Sequence, residues 1–242
     1  MFSLMTCLLA SLALPTAHAA KVADYPIRES RRPLTLPRGI VEIEGAVPIS
    51  IADNQVGLAF GMGASAGLSR TVDLGVATGF QITPEGGWNR TAVVQTHVLV
   101  KDGKKLDFAP GLVLPIDGGD FGFVVDLPFR VAFNKAIYLT FGQGAIPVVL
   151  GDNPAVSVVG NAGLGVQLGK STVLLGEMEV FTVQLTPETA SSAVWNNLGM
   201  QLGVQHSPSQ RADVGVMVGL NDIVPAVGNL AGEVNVYGRV RF

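Results

Sequence analysis

The sequence runs to 242 residues with 14% charged side chains, 30 glycines and a formal charge of -3. Together with a positive mean hydropathy, this is too apolar for a disordered chain and too poor in charge for an ordinary soluble domain. The charge balance also excludes nucleic acid as a partner.

Residues 1–20 carry no charged side chain, and an apolar run from Leu8 to Leu14 precedes Pro15 and Ala17-His18-Ala19. This reads as a secretory signal over 1–19, cleaved after Ala19. The run is too short to span a bilayer as a helix, and no later segment offers about eighteen continuous apolar residues. Cys7 is the only cysteine and lies inside the signal, so the mature chain has no disulfide and no cysteine metal site. Residues 20–38 follow as a basic segment, with Lys21, Arg28, Arg31, Arg32 and Arg38 against Asp24 and Glu29. Pro26, Pro33 and Pro37 keep it from continuing as a helix or a central strand.

From residue 39 onward the chain alternates. Val72, Leu74, Val76, Phe80 and Ile82 take turns with Asp73, Gly75, Ala77, Gly79 and Gln81, and Phe121 to Phe133 repeat the pattern opposite Gly122, Asp126 and Arg130. A period of two with one apolar face is a strand signature. It predicts strands near 39–48, 54–64, 71–82, 90–101, 105–116, 121–133, 136–143, 154–168, 172–184, 194–206, 211–220 and 231–242, about twelve in all and between ten and fourteen, with no convincing helix. Connections near 66–70, 102–104, 134–136, 169–171 and 207–210 are tight. Those interleaved with them, around 49–53, 84–89, 117–120, 144–153, 186–193 and 221–230, are mostly longer. Short turns at one end, longer loops at the other and an even strand count predict a transmembrane, antiparallel, up-and-down β-barrel over 39–242.

The last strand, "EVNVYGRVRF", places Val234, Val236 and Val240 on one face and closes on Phe242. With the signal and the alternating strands, this terminus resembles the bacterial outer-membrane β-barrel proteins, of a general porin or transporter-like class. The resemblance implies an outer-membrane location in a Gram-negative envelope, outer-membrane lipids and the barrel-assembly machinery as partners, and Val234, Val236, Val240 and Phe242 as the assembly signal. A soluble sandwich or a lipocalin-like barrel binding an apolar ligand alternates too, with its apolar face inward. The glycine-rich opposite face, the strand length and the turn asymmetry favour apolar residues facing lipid.

The lumen then receives the other parity: Glu42, Glu44, Asp73, Gln95, His97, Asp107, Asp126, Arg130, Tyr138, Asn161 and Arg239, together with Gln81, Lys105, Gln167, Gln201, Asp213 and Tyr237. In the ninth strand Leu175 and Phe181 share a parity with Glu177 and Glu179. Carboxylates facing lipid are costly, so Glu177 and Glu179 are placed inward, with a bulge to reconcile the strand. His97 and His206 have no serine and acid at a recognisable spacing, and no metal-ligand cluster or phosphate loop stands out, so neither an enzyme nor a cofactor is expected. The predicted function is passage of small solutes through a narrow polar lumen; the alternative is a structural or interaction barrel without an open pore. The segment before the first strand is either a mobile tail or a plug drawn in by Glu42, Glu44, Asp126, Glu177 and Glu179.

Overall fold

A computed structural model describes residues 21–52, 55–83, 87–103, 105–116, 121–150, 154–185, 199–221 and 231–242. The expected signal, the centres of the longer loops and Trp195 lie outside them. The barrel strands are β1 Val41–Ala52, β2 Gln55–Gly67, β3 Val72–Thr83, β4 Gly87–Val98, β5 Leu106–Phe108 with Gly111–Ile116, and β6 Phe121–Asp126 with Phe129–Ala132. They continue as β7 Ile137–Phe141 with Ile146–Leu150, β8 Ala155–Gln167, β9 Thr172–Gln184, β10 Met200–Ser209, β11 Ala212–Asn221 and β12 Ala231–Arg241. Every strand pairs antiparallel with its sequence neighbours. β1 also pairs with β12, from Glu42 opposite Arg241 to Ile51 opposite Gly232, so the sheet closes on itself as a twelve-stranded barrel.

The alternation decides which face points where. Val214, Val218, Val236 and Val240 are each about half exposed on the outside, while Asp213, Tyr237 and Arg241 between them are buried. The apolar parity is therefore the outer wall, and the polar parity fills the interior. Short turns are held by their own side chains. Ser69 Oγ accepts from the Thr71 and Val72 amides, and Asn134 Oδ1 accepts from those of Ala136 and Ile137.

The wall departs from regularity in two places. Between β8 and β9, Gly160 lies opposite Phe181 and Asn161 opposite Glu179, which leaves Val180 as the extra residue of a bulge. The bulge puts Glu177 and Glu179 on the inner face and returns Phe181 to the outer parity of Gly160. The second irregularity crosses three strands. β5, β6 and β7 are interrupted at Ala109-Pro110, Leu127-Pro128 and 142–145, and the bonds Ala109 N–H to Pro128 O and Leu127 N–H to Gly142 O set these breaks side by side. Pro110 and Pro128 have no N–H for the ladder. Gly142 and Gly144 adopt φ of 78° and 63°, the left-handed region that glycine tolerates. Sequence alternation predicts that the seventh strand ends at 143 and that 144–153 is a loop. Instead β7 resumes, with Ile146 opposite Val125 and Leu150 opposite Phe121.

Candidate functional site in the barrel lumen

Residues 21–40 form no strand. Their prolines and two short 3-10 turns, Val22–Asp24 and Glu29–Arg31, fold them into a compact segment at the short-turn end. The partners of this segment come from all round the wall, so it lies across the lumen. The Leu36 amide donates to Asp73 on β3, and Arg38 bridges to Gly67 on β2. Arg130 on β6 donates to the carbonyls of Glu29 and Arg32, and Gln205 on β10 donates to Glu29. A Cβ at Gly67 would overlap the carbonyls of Leu36 and Pro37, so only glycine admits the segment this close. Val22, Tyr25, Leu36 and Ile40 supply its small apolar core.

Arg32 is the anchor. Its guanidinium, 3% exposed, donates to both oxygens of Asp213 at 2.7 and 2.8 Å, to Ser207 Oγ at 3.0 Å and to Glu29. Arg241 reaches the same Asp213 at 2.5 Å and Glu42 at 2.7 Å, and both guanidiniums lie over the Tyr25 ring. Burial opposes the charge on Arg32, but Glu29 and Asp213 outweigh it and hold the guanidinium above its usual pKa. Burial pushes the Tyr25 hydroxyl up to about 12, so that ring stays neutral.

A second network joins the segment to the wall. Asp73, which accepts from Leu36, faces His97 Nδ1 at 3.3 Å, while His97 Nε2 lies 2.8 Å from Asp126. Asp126 in turn accepts from the Gly144 amide at 2.5 Å, inside the interruption of β7. The neighbouring Gln143 amide donates to Asn161, which donates back to the Gln143 carbonyl. Gln143 thereby projects into the interior, where it borders three luminal cavities of about 530, 300 and 210 Å³. Glu29 and Leu34 of the segment border the two larger ones.

The remaining residues expected in the lumen are found on its wall. Arg130 is paired with Asp107 and lies over the buried Tyr138, and Arg239 is paired with Glu44 and lies over Tyr237. Gln95 borders the largest cavity, Glu177 the two smaller ones, and Glu179 accepts from the Thr182 hydroxyl beside the smallest. The distribution of partners differs from the expectation for a plug. Glu42 and Glu44 face Arg241 and Arg239 directly across the β1–β12 pair, and Asp126 is taken by His97. The segment's cation instead finds Asp213. Of the terminal residues, Val236, Val240 and Phe242 are exposed on the outside, and Phe242 exchanges both backbone hydrogen bonds with Val41.

Three contributors escaped the sequence reading. Gln205, 2% exposed, receives the Tyr237 hydroxyl at 2.9 Å, and Ser207 lies beside Asp213. Both share the parity of Gln201, so the alternation already held the signal. Gln143 had none, because its inward position depends on hydrogen bonds to Asn161 across the sheet.

No family model matches the chain, and no curated protein does. Solved structures do. The KdgM porin aligns with a TM-score of 0.59 at 10% identity, covering 82% of this chain and 99% of that one. The NanC porin aligns at 0.61 and 6% identity, over 81% and 98%. An outer membrane channel of Pseudomonas putida F1 aligns at 0.59 and 8% identity, over 95% and 100%. The chain has the fold of the bacterial outer-membrane β-barrel porins and channels.

Proposed function

We propose that this protein is an outer-membrane barrel that passes small solutes through a narrow polar lumen, with residues 21–40 as a plug at its short-turn mouth. One observation carries the reading: the segment lies across the interior, tied by Arg32 to Asp213, with cavities bordered jointly by the segment and the wall. The exposed valines of the outer wall support a bilayer around it, since an apolar surface of this extent would be costly in water. Residues 1–19 would direct export and be removed by cleavage after Ala19. The reading needs no enzyme chemistry, and its work is selection by size and charge.

Planar-bilayer conductance of the refolded protein tests this. The full chain should give small unitary currents, and removal of residues 21–36 should raise them. The truncation removes Lys21, Arg28, Arg31 and Arg32 against Asp24 and Glu29, and it leaves Asp213 and Glu42 behind. The larger pore should therefore shift toward cations. The competing reading is a structural barrel closed by its own ion pairs, Asp107 with Arg130 and Asp213 with Arg241. It expects no current from either form, and that result would replace the solute-passage reading.

A further inference from the structure

We propose that the short-turn end of the barrel carries a seat for anionic phosphate headgroups, formed by the basic residues of its five short connections. Every short connection presents an exposed cation: Arg70 after β2, Lys101 and Lys105 between β4 and β5, Lys135 after β6, Lys170 after β8 and Arg211 after β10. None of these takes part in an ion pair among the described residues, whereas Arg32, Arg130, Arg239 and Arg241 inside the lumen all do. A single exposed acid, Asp102, shares these turns. In the sequence of the longer connections, every charged residue is Asp or Glu. The cations of the connections are thus gathered in the short turns, where no described residue forms an ion pair with them.

Two features select lipid as the occupant. The cations recur at five of the six places where alternate strands end, leaving only the β12–β1 seam without one, which matches a sheet of molecules surrounding the barrel; a single macromolecular partner would cover one sector. The cations also adjoin exposed apolar residues on the outer wall. Val98 and Val100 precede Lys101, Phe133 precedes Lys135 and Leu168 precedes Lys170, with Phe133 61% and Leu168 58% exposed. A long cationic side chain next to an apolar belt lies along the hydrocarbon boundary and puts its charge at the level of the phosphates. The inference rests on the membrane reading of the outer wall, and it adds a preference among lipids that the barrel fold does not require.

Electron spin resonance of the full chain, refolded into phosphatidylcholine vesicles that contain either spin-labelled phosphatidylglycerol or spin-labelled phosphatidylcholine, tests it. At low salt the motionally restricted fraction of the phosphatidylglycerol label should exceed that of the other label by about two- to threefold. The excess should fade as sodium chloride approaches about 0.5 M. A variant carrying Arg70→Ser, Lys101→Ser, Lys135→Ser, Lys170→Ser and Arg211→Ser should restrict both labels equally while keeping its heat-modifiable gel mobility. Because that variant could fail to fold, the salt titration of the unaltered protein stands as an independent test. Equal restriction of the two labels by the unaltered protein at low salt, or an undiminished preference in a folded variant, would overturn the proposal. Binding of soluble polyphosphate without any lipid preference would also overturn it and assign the cations to a soluble polyanion. Failure to restrict either label would instead remove the membrane reading beneath it.

Discussion

Asp213 is 1% exposed and holds two arginines from different parts of the chain, Arg32 from the segment and Arg241 from β12. A buried carboxylate in this position is hard to replace, because its loss removes the charge between two guanidiniums and leaves each with one other acid, Glu29 for Arg32 and Glu42 for Arg241. Asp213→Ala should therefore destabilise the refolded barrel by roughly 3 kcal/mol or more. Arg32→Ala should cost only about 1 to 2 kcal/mol, since Asp213 keeps Arg241. Urea midpoints of the two variants check the order, and equal midpoints would mean that Asp213 does not depend on both partners. Close packing of rings on glycines gives a second test. A Cβ at Gly165 would fall within the Tyr138 ring, which lies flat against the luminal wall there, while a Cβ at Gly232 meets nothing within 4 Å. Gly165→Ala should cost about 1 to 3 kcal/mol and Gly232→Ala less than about 0.5 kcal/mol, read from the same unfolding curves.

Strands carry the distinction between outside and inside, and adjacent residues separate it most sharply. Val76 belongs to the outer parity and Ala77 to the inner, where Ala77 borders the largest cavity. An arginine facing the middle of a bilayer costs roughly 2 to 4 kcal/mol, so Val76→Arg should block assembly into membranes. Ala77→Arg should assemble and alter the current. Heat-modifiable mobility of the two variants decides, and equal assembly would contradict an apolar wall facing lipid. The same period of two explains what could be read from residues alone. It assigns Glu42, Asp73, His97 and Arg239 to the inner parity because each lies in an uninterrupted run. It also allows a bulge in the ninth strand, although not its position at Val180, which is set by the register against β8. The breaks in β5 and β6 were announced by Pro110 and Pro128, which lay within the expected strands without altering them. The return of β7 at Ile146 was hidden, because it depends on hydrogen bonds that β6 supplies. The acid chosen by Arg32 was hidden too. Glu42 and Glu44 look free in the sequence, and only the facing register of β12 shows them already paired.

At the scale of the whole molecule, both ends of the barrel sequence meet at one seam. Phe242 shares backbone hydrogen bonds with Val41 and exposes 62% of its surface beside Val240. If this ending addresses the chain to the assembly machinery, Phe242→Asp should leave a degraded or aggregated species outside the membrane. Normal outer-membrane levels by fractionation would refute that role. The seam also bears on the order of events during folding. Residues 21–40 emerge before every strand, yet several of the groups that hold them, Gln205, Ser207, Asp213 and Arg241, belong to the last three strands. Until those strands arrive, Arg32 has its wall partners missing and β1 has an unpaired edge. Completion of the wall and seating of the segment thus draw on the same late residues, which makes them one cooperative step. A segment that appears ahead of the whole barrel is among the last to find its place.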